Sequence, residues 1–500
     1  MIGNAGALAV FLPIVLGITV YAVGKGSKEI EKYVGWLATL AAMVPVILVG
    51  SMIPDTIAEG ATPIRHIYPW IPSIGVTFGF QIDDLSVAIA FIIASVSFLA
   101  TVYAVGYMER EHGHAGYFGN TLLFIGGMLG VVFSSNLLQF YVFWELMLIP
   151  SYFLIVFWGT PERAARIGFK YFIFTHVGAV CLLFGILATF VLTNTFEISE
   201  LTHKIDEVNP NVAMVIFALM IFGFMVKMAV FPVHTWLPDA HAEAPTPISA
   251  MLSGVMIKCG AYAIARISLG IFFPSFKGVS TFLLTLAVVT MVYGGLMAIA
   301  QTDVKRLFAY SSVSQMGYIL FGLTTGSVMG LTGGLFHIVN HALCKALLFM
   351  SSGILMHQTG TRDLRQYGGL AGKMPMTAVV SVIGALTLAG TPPLSGFFSE
   401  SMMFAGGINH DLGLFEGQNL LTFIATMSAV ITAAYYLWFV WRVFFGKLPD
   451  HLKDVKEASP VMWGPALCLA IAAIVLGIFP SIALNIISAA AKLIIPEVGH

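Results

Sequence analysis

Charge is what this sequence holds least of. Only 10% of its 500 residues are Asp, Glu, Lys or Arg, against about 25% in soluble domains. No polar block is long enough to fold as a soluble domain, so the chain reads as one membrane unit. Cysteine is scarce as well. Cys181, Cys259, Cys344 and Cys468 stand singly inside apolar runs, and without a Cys-x-x-Cys pair no iron–sulfur or zinc site made by this chain alone is expected. No glycine-rich nucleotide loop follows a strand-like segment. The chain is therefore expected to carry no metal, no cofactor, no redox centre and no catalytic residue, and to bind no nucleic acid.

Apolar residues make up 58% of the sequence. They fall in runs of about twenty, enough to cross a hydrocarbon core of about 30 Å as helix. Most runs show no polar face. The fold class this predicts is an all-α membrane protein of about fourteen transmembrane helices. The spans lie near 5–23, 33–53, 83–107, 117–134, 136–158, 167–192, 212–240, 247–270, 280–300, 305–325, 329–357, 376–406, 417–445 and 461–491. The first run lacks a basic lead and a small-residue cleavage site, so it reads as a retained helix.

Basic residues alternate between loops. One side holds Lys25, Lys28, Lys32, Arg110, Arg163, Arg166, Lys170, Lys305, Arg306, Arg362, Arg365, Lys373, Arg442, Lys447, Lys453 and Lys456. The other holds Arg65, Lys204, Arg266, Lys277 and Lys492. By the positive-inside rule this places both termini on the non-cytoplasmic side of a prokaryotic cell membrane.

Two spans are interrupted by proline: the seventh at Phe231-Pro-Val-His-Thr-Trp-Leu-Pro-Asp239, the twelfth at Gly390-Thr-Pro-Pro-Leu-Ser-Gly396. Proline removes a backbone donor and clashes with the preceding turn, so each helix should break. Broken backbone at membrane depth survives only against protein or a watery cavity. Breaks five spans apart suggest an inverted repeat. The chain then divides into helices 1–3 (1–110), a first repeat of helices 4–8 (117–270), a second of helices 9–13 (280–445), and helix 14 (461–491).

Glu145, Lys227, Lys258, Lys345 and Glu400 sit inside apolar runs. A charge near the bilayer centre costs about 2.5–3.5 kcal/mol even on the mild insertion scale, so these residues must face one another or water. One reading makes them structural ion pairs, or snorkelling side chains. The other makes them titrating groups, with Glu145 near Lys227 holding a proton that separation would release. His337 and His341 share a helix face with Lys345 at i, i+4 and i+8. They suit a proton relay, helix–helix hydrogen bonds or a metal. His176 and His234 are accessory candidates. Asp83-Asp84 reads as a helix N-terminal acid pair, and Gln301–Arg306 as a capped loop.

Through these residues the sequence resembles the antiporter-like membrane subunits of respiratory complex I and their relatives, the multi-subunit sodium/proton antiporters and membrane-bound hydrogenases. The resemblance rests on Phe143-Trp-Glu-Leu-Met147, the stretch from Lys227 to Pro247, Asp303–Ser312 and His341–Phe349, and covers nearly the whole chain. It implies fourteen core helices and inverted five-helix repeats with broken helices 7 and 12. Glu145 then matches the family glutamate on helix five, Lys227 the lysine on helix seven, Lys258 the central lysine on helix eight and Glu400 the acceptor on helix twelve. His337 and His341 fall where the family places polar links, and the implied path leaves through Glu400 or Lys345. A glutamate at position 400 resembles the M-type chain (subunit 4), whereas the lysine-bearing helix eleven reads more like the antiporter or hydrogenase branches.

The function this implies is a proton-translocating subunit of a redox-driven complex of the NADH:quinone oxidoreductase, F420H2 or hydrogenase type. Flavin, iron–sulfur clusters and quinone or other redox carriers would belong to partner subunits. The partners would be other membrane subunits, including neighbouring antiporter-like chains, with the lipid bilayer around them. The alternative is a subunit of a multi-subunit sodium/proton antiporter without redox chemistry. A third reading is a membrane scaffold in which the charges fix packing. The absence of an oxygen-rich cluster favours H+ over Na+ as the ion carried.

Overall fold

An apolar run in lipid has no water to satisfy its peptide groups, so it satisfies them internally as helix. The computed structural model describes residues 2–57, 62–72, 76–160 and 162–495, with the side chains of residues 2, 3 and 28 not described. Both chain ends, Met1 and 496–500, and the Lys28 side chain in the basic-loop count therefore lie outside the described residues.

Among the described residues, twelve helices are long and apolar enough to cross a membrane. They are α1 (Ile2–Gly26), α2 (Val34–Gly50), α3 (Asp84–Tyr107), α4 (His114–Phe133), α5 (Leu137–Trp158), α6 (Ala164–Thr193), α7a (Pro210–Met228), α8 (Thr246–Leu269), α9 (Ser280–Ile299), α11 (Val328–Thr359), α13 (Gly417–Phe444) and α14 (Pro460–Ile478). Helix α10 (Val304–Thr324) and the broken pair α12a (Pro375–Leu388) and α12b (Ser395–Gly406) complete fourteen crossings. The short α7b (Trp236–Glu243) continues α7a beyond its break.

Helix α10 carries Ser311, Ser312, Ser314 and Gln315, all buried. It tolerates them because other helices, not lipid, surround it. Helix α11 is buried at every residue from Gly330 to Leu355, and α8 from Thr246 to Ala265. Both are central. Large apolar side chains such as Phe157, Val191 and Val430 face outward on α5, α6 and α13, where they meet lipid or a partner helix.

The inverted repeat is visible in the packing. Gly127 on α4 lies against the backbone of Met147 on α5, and Gly294 on α9 against that of Ser314 on α10. Asn136 caps α5 through the Gln139 amide, and Asp303 caps α10 through the Lys305 and Arg306 amides. These correspondences are displaced by one common number of positions. Asn136 also bridges to Glu197 after α6, as Asp303 bridges to Asp363 after α11. Asn136 begins a helix at the end poor in Lys and Arg, while Asp303 begins one at the basic end. The repeats therefore run in opposite senses.

Both breaks begin with a left-handed residue followed by proline three positions on: Ala229 (φ 57°) before Pro232, and Gly390 (φ 66°) before Pro393. Gly390 also leaves room for the Glu400 carboxylate. A Cβ there would lie 2.5 Å from Glu400 Oε2.

Three expectations need correction. The helical bundle also contains an antiparallel hairpin, β1 (Ile64–Ile71) with β2 (Val76–Ile82). Pro69 and the mixed pattern of β1 hide it from a sequence reading. The fourteenth span ends at Ile478, and Pro480 starts a separate amphipathic helix, α15 (Ser481–Ile494). Lys305, counted as a loop residue, is 2% exposed.

Candidate functional site

Lys227 ends α7a, held there by the left-handed Ala229 that closes the helix. It is 1% exposed. Its Nζ has no hydrogen-bond partner and lies 5.2 Å from the centroid of the Trp144 ring, an arrangement that attracts a cation weakly. Glu145, which follows Trp144 on α5, is the carboxylate within electrostatic reach of it. Glu145 Oε2 meets His176 Nδ1 at 3.4 Å, and Oε1 is buried without a partner. His176 stacks on Phe172 with centroids 5.3 Å apart and is partly exposed. This end of the series therefore reaches the flank of the bundle.

Lys258 is fully buried on α8 and donates to the Ser253 carbonyl. That carbonyl lies in a π-helical turn, Leu252–Met256, the kind of widened turn that recurs at functional sites. Ser253 Oγ and Ser312 Oγ on α10 are 2.7 Å apart. Lys258 acts electrostatically on His337 and His341, and Lys345 acts on Lys258.

On α11, the spacing that sets His337, His341 and Lys345 on one face brings all three to the molecule's centre. The histidine rings are 6.4 Å apart. His337 Nε2 lies 2.7 Å from Gln315 Oε1 on α10, and Nδ1 lies 3.0 Å from Ser399 Oγ on α12b. Both nitrogens of His341 are without partners. Lys345 is fully buried, so it does not snorkel. It donates to the Phe308 carbonyl at 3.1 Å and to Ser311 Oγ. Glu400 is 5% exposed, with Oε1 unpartnered. His234 packs against Phe231 and Tyr293, with Nδ1 unpartnered.

Among the described residues no ion pair joins Lys227, Lys258, Lys345 or Glu400 to any other group, and Glu145 pairs only with His176. No group of His, Cys, Asp and Glu suited to a metal ion occurs among the described residues. Buried polar groups normally have partners. Lys227, His241, His341 and Glu400 each leave a buried polar atom without one.

The structure adds residues that sequence reasoning passes over. His241 on α7b is fully buried, stacked on Phe349 at 4.7 Å, with neither nitrogen bonded. Glu243 is 3% exposed with both carboxylate oxygens unpartnered and Arg362 4.0 Å away. Lys305 donates to the Ala244 carbonyl at 2.5 Å. Lys305, Lys345 and Lys258 all act electrostatically on His241, so this cluster links the basic end to the central seam. Nearer that end, Asp239 pairs with Lys170 at 2.7 Å and Arg306 at 3.0 Å. A signal for the cluster exists in the sequence: three ionisable residues in the short α7b are unusual at membrane depth. The Asp303 cap is present as expected, but it conceals the inward turn of Lys305 two residues later.

Two helices broken within an inverted repeat, with ionisable side chains strung between them, define the antiporter-like class of membrane subunits. Residues 134–432 match the family described as NADH:quinone oxidoreductase/Mrp antiporter, TM, and residues 70–118 match complex I chain 5 N-terminus. The chain belongs to the NADH:quinone oxidoreductase/Mrp antiporter family and is an integral membrane protein. It is 34% identical to a Na(+)/H(+) antiporter subunit of Alkalihalophilus pseudofirmus, over 98% of this chain and 63% of that protein. The chain thus spans less than two thirds of that relative. A chain of the Mrp complex from a Dietzia species superposes with TM-score 0.87 at 28% identity, over 98% of this chain and 52% of that one. A chain of Thermus thermophilus respiratory complex I superposes with TM-score 0.85 at 28% identity, over 98% and 99%.

These relatives overturn the expectation of a redox-driven enzyme. The curated proteins at 33–34% identity are named as sodium/proton antiporter subunits, and redox complexes enter through the shared family descriptions and as structural neighbours.

Proposed function

We propose that this chain is an ion-conducting subunit of a multi-subunit sodium/proton antiporter, and that protons move along Glu145, Lys227, Lys258, His341, His337 and Glu400, with Lys345 poised beside the last steps. His176 and His234 assist at the flank and at the first break. His241, Glu243 and Lys305 give the seam its connection to the basic end.

The observation that carries this reading is a set of fully buried lysines, none of them ion-paired. A lysine kept for packing would have a carboxylate beside it, since an uncompensated buried charge is strongly destabilising. A lysine that exchanges its proton needs to be able to stand without one. Glu145 lies within electrostatic reach of Lys227, and movement of either side chain changes their interaction steeply in a medium of low dielectric. Sodium/proton exchange is favoured over redox pumping by the names of the curated relatives.

The test is antiport in everted vesicles that hold the complete complex, read as sodium-dependent collapse of a preformed pH gradient. Lys227→Ala and Lys258→Ala should each abolish exchange while the complex still assembles. Unchanged exchange in both variants would refute the pathway, and loss of assembly in both would favour a packing role for the charges.

A further inference from the structure

The end of α8 poor in basic neighbours carries an ion pair that the pathway above does not use. Arg266 forks onto Asp83 with Nη1 to Oδ2 at 2.7 Å and Nη2 to Oδ1 at 2.5 Å. The pair joins α8 to the start of α3, where Asp83 also caps the helix through the Ser86 amide. Gln81 Nε2 adds a fourth hydrogen bond to the Asp83 carboxylate at 2.7 Å, and its Oε1 is buried without a partner. Both charged side chains are nearly covered, at 14% and 8% exposure.

Above them lies a cavity of about 170 Å³, lined in part by Arg65, Gln81, Ser199 and Thr202, with Asp83 and Arg266 among its walls. Arg65 and Thr202 are both exposed, so the cavity's rim faces outward while the ion pair forms its buried floor. Below the pair, Arg266 Nε donates to Tyr262 Oη at 3.1 Å, and that hydroxyl donates to the Val132 carbonyl at 2.7 Å. Tyr262 is one helical turn from Arg266 and one turn from Lys258. Polar side chains at 258, 262 and 266 thus follow one another at one-turn spacing along α8.

Arg266 also lies in a second π-helical turn, Ile264–Leu269. Such a turn is a local rearrangement of the ladder that lets a helix rewind without unfolding. An arginine does not itself release a proton, so Arg266 cannot be a carrier. It can be a plug.

We propose that the Asp83–Arg266 pair is a gate closing a second outlet for Lys258, through Tyr262 into this cavity. The inference rests on Lys258 carrying protons, as proposed above. In the closed arrangement Lys258 points away, toward the Ser253 carbonyl. When the pair parts, the Tyr262 hydroxyl loses the Arg266 donor and gains a free lone pair. A Lys258 ammonium turned the other way along α8 can then give its proton to the Tyr262 oxygen while that hydroxyl, swung away from the Val132 carbonyl, releases its own proton to water in the cavity, which leaves Lys258 neutral and Tyr262 unchanged. With the pair closed the outlet is sealed and exchange stays coupled.

The experiment measures passive proton entry into proteoliposomes containing the complete complex, driven by an imposed potassium diffusion potential without sodium and read with an internal pH dye. Arg266→Gln should raise proton conductance several-fold, and adding Lys258→Ala should return it to the wild-type level. A structural defect would leak whether or not Lys258 is present, so a leak that persists in the double variant overturns the gate. An assembled Arg266→Gln complex with no leak overturns it as well. Should Arg266→Gln fail to assemble, Asp83→Asn breaks the charge while keeping a capping side chain and is scored the same way. Failure of both to assemble assigns the pair to packing and ends the proposal. Lys258→Ala alone separates the two claims: if antiport survives it, the pathway itself is wrong, whereas lost antiport with a silent Arg266→Gln removes only the gate.

Discussion

Ser399 has one hydroxyl proton and two acceptors in reach: the Gly396 carbonyl at 2.9 Å and His337 Nδ1 at 3.0 Å. Its oxygen also accepts from Asn340 Nδ2 at 3.0 Å. While His337 is neutral with its proton on Nε2, facing Gln315, the hydroxyl can serve Nδ1. Once Nδ1 is protonated the hydroxyl must turn to Gly396. The residue therefore follows the charge of the histidine. Ser399→Ala removes an interaction worth about 1 kcal/mol, so antiport should slow by about fivefold with assembly unchanged, measured as the initial rate of gradient collapse. Much of this site is legible in the sequence because a lysine or glutamate inside an apolar run has few innocent explanations. His241 and Lys305 are not, because each lies next to a break or a cap, where polar residues are ordinary. Only the fold turns them inward.

At the scale of elements, the hairpin is fastened to the first repeat by side chains. Thr77 donates to Glu197, Asn136 Nδ2 donates to the Thr77 carbonyl at 2.6 Å, and the Gly79 amide donates to Gln139 Oε1 at 2.7 Å. Burial holds the Glu197 carboxyl above its ordinary range, against the pull of the Thr77 hydrogen bond. The folded state therefore keeps this proton longer than the unfolded chain does. Its contribution to stability is complete below the ordinary glutamate pKa of about 4.3 and is lost as pH rises through the higher folded value. Hydrogen exchange at 76–82 should accelerate across that window, and Glu197→Gln should flatten the dependence.

The helix pairs make a separate claim. Gly127 and Gly294 admit the facing backbones of α5 and α10, in the manner of small residues at membrane helix contacts. Gly127→Leu or Gly294→Leu would force those pairs apart, at about 1–3 kcal/mol or more each. The yield of assembled complex from mild detergent should fall in both variants. The prolines make the two breaks readable in advance, and the apolar runs make the spans readable. The hairpin is not, since a strand carrying Pro69 shows no clean alternation. The end of the fourteenth span is hidden too, because α15 remains apolar on one face and hydropathy alone does not see the turn at Pro480.

For the whole molecule, the sequence points to the family but favours a redox-driven branch that the curated relatives do not support. Fold and intramembrane charges are common to antiporter and redox assemblies, so the residues that carry the resemblance do not separate the two. What separates them lies in other chains. A sodium/proton antiporter complex built around this chain should show no flavin or iron–sulfur absorption after purification in mild detergent, and its exchange activity should need no electron donor. Both are read from one preparation, by visible spectra and by vesicle assay, and a donor-dependent gradient would reverse the assignment.

Helix α11 is walled in from Gly330 to Leu355, with His337, His341 and Lys345 along its length. A rod enclosed on every side has nowhere to tilt or slide without dismantling its neighbours. The ion pathway proposed above, built round such an axle, is poorly suited to rocking between two halves. Its alternation has to be small in amplitude, made of swinging side chains, rewinding turns in α8 and the wetting and drying of short gaps.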